Sequence, residues 1–270
     1  MTFAALPSAS SSVRRLRIGL GTFIAIEAHA ATADAALAAL ESAFAAVAAV
    51  EAAMHPQRSG STLARVNAAP PGVRIGIDAG THRLLRLARR LNALTCGVFD
   101  PCLPCKPGCL ADIELGPVGS GDDAPLAPWV VCRAPLALDF GGIAKGHAID
   151  CAVEALVAGG CSAGLVNAGG DVRLFGARRE TLLLRGAHGQ CRPLTLADTA
   201  LAVSDVDAAQ HPCEHRGYYV RGTGSGAQRR YAAVVAPTAV IADALTKGLL
   251  LCAEPVARRA LAEFGARCAA

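Results

Sequence analysis

ALDFGGIAKGHAIDCAVEALVAGGCSAGLVNAGGDVRLFG, residues 137–176, is the stretch from which the chain is best read. It begins as a strand that ends in an acid, Asp139. The pair Gly141-Gly142 follows, and Lys145 stands where a helix of about 145–158 begins. Glycine lets backbone approach a ligand closely, and the start of a helix favours anions. A lysine there can hold a phosphate or a ring carbonyl, and Asp139 can hold a hydroxyl or an amine. Residues 163–176 then read as a strand pair broken by Gly169-Gly170, from which Asp171 emerges. As ordinary structure, the same residues are two glycine turns with a solvated Lys and Asp. The spacing matches neither the G-x-x-x-x-G-K-[ST] loop nor the G-x-G-x-x-G fingerprint, so generic nucleotide folds are disfavoured.

Working outward, residues 16–28 read as an opening strand carrying a Gly-Thr. Residues 33–54 read as a long alanine-rich helix with Leu37, Leu40, Phe44 and Val47 at helical spacing. Residues 56–72 form a loop with one short helical turn, and 73–78 alternate like a strand. A helix over 81–95 carries a leucine stripe, and the Gly-, Pro- and Cys-rich 96–128 is mostly loop. Strands are expected at 129–133, 136–139, 181–185, 200–204 and 231–236, and two closing helices at about 239–251 and 255–265. Helices and strands mix without a βαβ rhythm, which predicts an α+β fold with a mixed or antiparallel sheet.

The bulk numbers bound the function. Hydrophobic residues make up 53% of the 270 and charged ones 18%, the balance of a folded chain with a substantial core. A net charge of +4 names no partner. The short Arg-rich spots at 14–17, 86–90 and 229–230 are spaced like solvated faces. Only 4% of residues are aromatic, which argues against a base-stacking platform, so no nucleic acid is expected. No transmembrane segment is expected either, because no apolar run reaches about 18 residues. The N-terminal stretch lacks a secretory pattern, and the first cysteine, Cys96, is too late for a lipobox. The expectation is a cytoplasmic protein with residues 1–13 as a flexible tail and 14–270 as one domain. Its 11 cysteines, an odd number, read as mostly reduced thiols.

Six blocks in order resemble the ApbE family of FAD:protein FMN transferases. DFGGIAKGHAID (139–150) is similar to its D-L-G-G-I-A-K-G-Y-A-V-D block, and GLVNAGGDVRLFG (164–176) to the strand-GGD-strand that follows. GLGTFIAIEA (19–28), MHPQRSGSTLARVNAAPPG (54–72), CGVFDPCLPC (96–105) and VVAPTAVIADALTKGLLL (234–251) resemble the family's Gly-Thr strand, its S-x-L-x-R-x-N segment, its G-x-F-D-P block and its D-A-x-x-T helix. The resemblance implies a single ApbE-like, T-fold-related domain. It implies transfer of FMN from FAD to a Thr or Ser hydroxyl of an acceptor flavoprotein, with release of AMP. The flavin would lie near Met54 and against Val98, Phe99 and Asp100, while Asp139 and Lys145 would contact the FAD. Mg²⁺ would sit by the pyrophosphate, held near Gly142 and by Asp243 and Thr246, with Asp243 and Lys145 as the catalytic pair. Hard oxygen ligands suit Mg²⁺, and the reaction is a phosphoryl transfer in which positioning and electrostatics dominate.

Three features depart from the family pattern. The C-terminal helix reads Asp243-Ala244-Leu245-Thr246-Lys247, so a lysine stands where the family has threonine four residues after the acid. Either its ammonium replaces part of the metal's charge, or Asp243 and Lys247 form a plain surface pair. In 204–230 the family's H-x-x-D-P-x-T-G loop is replaced by a Gly-rich stretch around His215 and 222–226, which leaves open an FAD-binding module or FAD pyrophosphatase without protein flavinylation. Finally, Cys102, Cys105 and Cys109 form a C-x-x-C-x-x-x-C run, a candidate metal or redox site with Cys96 or Cys132 as a possible fourth ligand. HPCEH (211–215) is a weaker candidate of the same kind. His147 is expected to pack rather than act as a base.

Overall fold

The chain opens by folding back on itself: β1 (Ser11–Gly19) and β2 (Thr22–Ala30) pair antiparallel across Leu20-Gly21. Both turn residues take positive φ, 53° and 69°, as the two-residue type I′ hairpin turn requires. The expected single strand over 16–28 is therefore a hairpin, and β1 takes in residues 11–13, which the sequence pattern assigns to a tail. The computed structural model describes residues 11–116, 127–186, 190–205 and 229–269.

The hairpin starts a seven-stranded sheet. Its order is β1, β2, β6 (Ala163–Ala168), β7 (Asp171–Gly176), β10 (Ala200–Asp205), β11 (Tyr231–Ala236) and β12 (Arg267–Cys268). Every neighbouring pair is antiparallel, as an α+β chain without βαβ rhythm should give. A small sheet of β3 (Arg74–Gly76), β5 (Trp129–Cys132) and β4 (Ile113–Leu115) stands apart, as does the hairpin β8 (Arg179–Arg185) with β9 (Cys191–Ala197). β9 and β12 fall outside the expected strands. Pro193 interrupts the strand pattern of β9, and β12 is only two residues long.

The period-2 alternation of the strands separates two cores. Val166, Ala168, Ala200, Ala202, Ala232, Val234 and Ala236 face the helices, in one cluster with α1 (Ala33–Met54), α4 (Ala144–Ala158) and α5 (Ala239–Leu251). Their sequence neighbours Leu165, Leu201, Ala233 and Val235 face the other way, and Leu184 of β8 and Leu196 of β9 cover them. Burying each large aliphatic side chain contributes roughly 1.5–3 kcal/mol.

Helix α1 begins at Thr32, whose hydroxyl accepts the Ala35 N–H at 3.1 Å. By length and composition it is apolar enough to cross a membrane, but Leu40, Phe44, Val47 and Val50 are buried in the main core. Its alanines let α4 come close: a Cβ on Gly159 would lie 2.7 Å from the Ala39 Cβ. The short α2 (Thr62–Ala68) and the leucine-striped α3 (Ala79–Leu94) are capped by Ser61 and Asp78, and α6 (Glu254–Glu263) closes the chain.

Candidate active site

Helices α4 and α5 cap one another. No side chain of Thr238 caps α5; instead Asp150, in the middle of α4, accepts the N–H groups of Ala239 and Val240 at 2.9 Å each. These are among the donors that the start of a helix leaves unsatisfied. In return, Asp243 of α5 accepts the N–H of Gly146, in the first turn of α4, at 3.0 Å. The two helices touch at Gly146, where a Cβ would meet the Ala239 carbonyl oxygen at 2.4 Å. Arg173 of β7 pairs with Asp150 at 2.5 Å and ties this joint to the sheet. Burial pushes the Asp150 carboxyl up, and Arg173 and the two amides oppose that push.

The cross-capped joint gathers charges at the start of α4. The Lys145 ammonium lies 2.9 Å from Asp171 Oδ2, an ion pair without hydrogen-bond geometry. Asp171 Oδ1 accepts the Val203 N–H at 3.0 Å. Lys247 pairs with Asp243 Oδ1, and its ammonium also donates to the Asp243 carbonyl at 3.1 Å and to Ser204 Oγ at 3.3 Å. Ser204 and Thr246 share a hydrogen bond of 2.7 Å, and Thr246 Oγ1 donates to the Asp243 carbonyl at 2.6 Å. Burial, with Asp243 nearby, raises the Asp171 carboxyl above the ordinary aspartate range; Lys145 and Lys247 pull it back.

The structure thus brings together Gly142, Lys145, Asp243 and Thr246, four of the residues expected at the site. It adds Asp171 and Ser204, and it brings in Lys247, which the sequence singles out as a departure from the family pattern. Asp171 stands out in the sequence without an assigned role. Ser204 has no motif at all; only the alternation that puts Ala200 and Ala202 on the helix face would have placed it there.

A second set lies just upstream. Asp139 Oδ1 accepts the Gly141 N–H at 2.7 Å, an Asx turn that shapes the glycine pair. The Asp139 N–H donates to the Pro101 carbonyl at 2.9 Å, which sets Val98, Phe99 and Asp100 beside the approach to α4. Phe99 is buried, its carbonyl accepting from Asn92 at 2.9 Å. Asp100 Oδ1 accepts the Cys102 N–H at 2.8 Å. Met54, the last residue of α1, is buried in the core, with the Thr81 hydroxyl 3.9 Å from its sulfur. The strand expected over 136–139 is a single bridge between Leu138 and Cys102. The reason is Asn67, at the end of α2. Its side-chain amide donates to the Leu138 carbonyl at 2.8 Å and accepts the Leu138 N–H at 2.7 Å, occupying the place of a neighbouring strand.

A divalent cation does not fit this donor set as it stands. Asp243 offers one carboxylate oxygen to the Gly146 N–H and the other to the Lys247 ammonium. The stem of Lys247 passes Gly142, where a Cβ would lie 3.5 Å from its Cε. The alternative of a surface Asp243–Lys247 pair is overturned: the two side chains are 2% and 13% exposed.

The cysteine run has no such convergence. Cys102 is buried, Cys105 exposed, and the Cys109 thiol is 3.4 Å from Asp112 Oδ2. Among the described residues no group of three or more His, Cys, Asp or Glu is placed to hold a metal. His211, Cys213, His215 and the 222–226 stretch lie outside the described residues. His147 is buried and packs against Cys151, with its sulfur 3.6 Å from Nε2; burial first, then Arg83, holds its imidazole below the usual range.

Known proteins share this architecture over nearly all of each chain. The Vibrio cholerae flavin transferase ApbE is 18% identical with a TM-score of 0.72, covering 96% of this chain and 92% of that one. The apo form of the Pseudomonas stutzeri flavinyl transferase ApbE is 16% identical with a TM-score of 0.75, covering 95% and 90%. An ApbE protein from Thermotoga maritima is 19% identical with a TM-score of 0.70, covering 94% and 91%. No curated protein sequence matches this chain. The ApbE family model matches residues 20–104 and 111–204, so it takes in Lys145, Asp171 and Ser204 and stops before α5. With more than half of its length matched by that model, the chain belongs to the ApbE family.

Proposed function

We propose that this protein transfers FMN from FAD to a Ser or Thr hydroxyl of an acceptor flavoprotein and releases AMP. The observation that carries the reading is the start of α4. There Gly141-Gly142 and the partly exposed Lys145, 32% by side chain, stand at a helix N-terminus, an arrangement suited to a pyrophosphate. The solved proteins similar in fold, from Vibrio cholerae and Pseudomonas stutzeri, are flavin and flavinyl transferases by name, which supports the same substrate here.

In this reading the acceptor oxygen bonds to the phosphorus of the FMN half. The phosphoanhydride bond breaks, AMP leaves with the bonding electrons, and the hydroxyl proton passes to solvent or a nearby base. Lys145 meets the charge that develops on the phosphoryl oxygens. Asp171 holds the Lys145 ammonium, and Asp243 fixes the first turn of α4 through Gly146. Asp139 shapes the glycine turn, and the 98–100 stretch and Met54 are the residues expected beside the flavin ring. FAD is the cofactor this donor set supports, as a substrate; Mg²⁺ is not supported in the same way, because Lys247 stands among its oxygens. The reaction is read as cytoplasmic.

The test is to mix the protein with FAD and an acceptor proven on another transferase, then follow AMP and acceptor-bound FMN. Both should appear together, and Lys145→Ala should lower the rate by about 100-fold. AMP with free FMN and no acceptor labelling would assign a pyrophosphatase. FAD binding without AMP would reduce the protein to a flavin-binding module.

A further inference from the structure

We propose that Lys247 is the resident cation of this site, occupying the position of a divalent metal, so that the chain binds the FAD pyrophosphate without one. The inference rests on that part of the proposed function by which FAD binds at this site, not on its turnover.

Three observations carry it. First, the ammonium is surrounded by oxygens, as a hard cation would be: Asp243 Oδ1, the Asp243 carbonyl at 3.1 Å and Ser204 Oγ at 3.3 Å. Thr246 Oγ1, one of the oxygens expected to hold the metal, is turned to the same Asp243 carbonyl and to Ser204. Second, the charges balance already. Asp171 and Asp243 are both buried, and Lys145 and Lys247 are the ammoniums that face them. Before FAD binds, a divalent ion added to this set would leave an excess of two positive charges in a place of low dielectric. Third, the lysine is built in. It lies one helical turn after Asp243, and its stem runs past Gly142, close enough that a Cβ there would be in van der Waals contact with it.

The consequence is specific to this lysine. Lys247→Thr removes a charge and leaves two carboxylates against the single ammonium of Lys145. The oxygens of Asp243, Thr246 and Ser204 then surround a vacated cation position, and the variant should gain a metal site that the parent does not have.

The experiment uses the full chain, FAD, and Mg²⁺ or Mn²⁺ as probes. For the parent protein, FAD affinity by titration calorimetry should change by less than about twofold between EDTA and saturating Mg²⁺. Its Mn²⁺ resonance signal should remain that of the free ion, with FAD present or absent. For Lys247→Thr, FAD affinity in EDTA should fall by about tenfold and return with Mg²⁺, and Mn²⁺ should bind. Lys247→Gln keeps the length and loses the charge, and should show the same loss in EDTA. The proposal is overturned if the parent binds Mn²⁺ with FAD, if its FAD affinity collapses in EDTA, or if neither variant changes its metal response. Because the parent titration needs no variant, a misfolded Lys247→Thr does not shelter the idea. Failure to release AMP would sink the transfer reading and leave this one standing, whereas AMP release strictly dependent on Mg²⁺ would do the reverse.

Discussion

Two glycine pairs read alike in the sequence, Gly141-Gly142 and Gly169-Gly170, and the structure uses them for opposite reasons. Gly169 and Gly170 are the turn between β6 and β7, with φ of 60° and 99°, values that side-chain-bearing residues rarely adopt. Their task is to reverse the chain so that Asp171 begins β7 on the helix face. Gly141 and Gly142 show no positive φ. They serve the site instead: Gly142 lies beside the stem of Lys247, and the turn that holds the pair is shaped by Asp139. One pair answers a backbone demand and the other a demand of the site, and each delivers one partner of the Lys145–Asp171 ion pair.

The hardest blow to this arrangement falls on the residue that joins the start of α4 to α5. Asp243→Ala should cost about 3–5 kcal/mol in urea unfolding, since it orphans the Gly146 N–H and leaves Lys247 buried without its carboxylate. Next, the hairpin pair should respond in stability alone. Gly169→Ala should cost about 1–3 kcal/mol, because the left-handed backbone is strained and its Cβ would lie 2.8 Å from Thr22 Oγ1. Gly170→Ala meets only the backbone term, with open space around it, and should cost about 1 kcal/mol. The site pair should respond in the opposite sense. Gly142→Ala places its Cβ in ordinary contact with Lys247 and should leave stability within about 0.5 kcal/mol while weakening FAD binding measured by titration. Equal stability losses for Gly142→Ala and Gly169→Ala would erase the distinction between the pairs.

Much of this architecture is legible in the amino-acid sequence. Helix α1 follows from its alanines and the spacing of Leu40, Phe44 and Val47, and α4 from the glycine pair and lysine that open it. The sheet strands β6, β7, β10 and β11 follow from runs of apolar residues between turns. What escapes such reading depends on partners distant in sequence. Leu20-Gly21 is a hairpin turn although leucine seldom takes positive φ, because the strands on either side impose it. Residues 136–139 have strand composition, yet a side chain takes the ladder position beside Leu138. In the site, Lys145, Asp243 and Thr246 can be named from their motifs, but Ser204 carries no local signal and is recruited by the pairing of β10 with α5. The reciprocal caps by Asp150 and Asp243 are likewise invisible in sequence, because each acid sits mid-helix, where no capping rule looks for it.

Asn67 has a consequence for motion at the site. Its amide grips both polar backbone groups of Leu138, 71 residues away, and Leu138 leads directly into Asp139 and the glycine turn. The Leu138 N–H exchanges with solvent deuterium only when that grip opens. Its exchange rate therefore times the breathing of the entry to α4, and a slowing of that clock when FAD is added would mark the moment at which substrate and scaffold lock together.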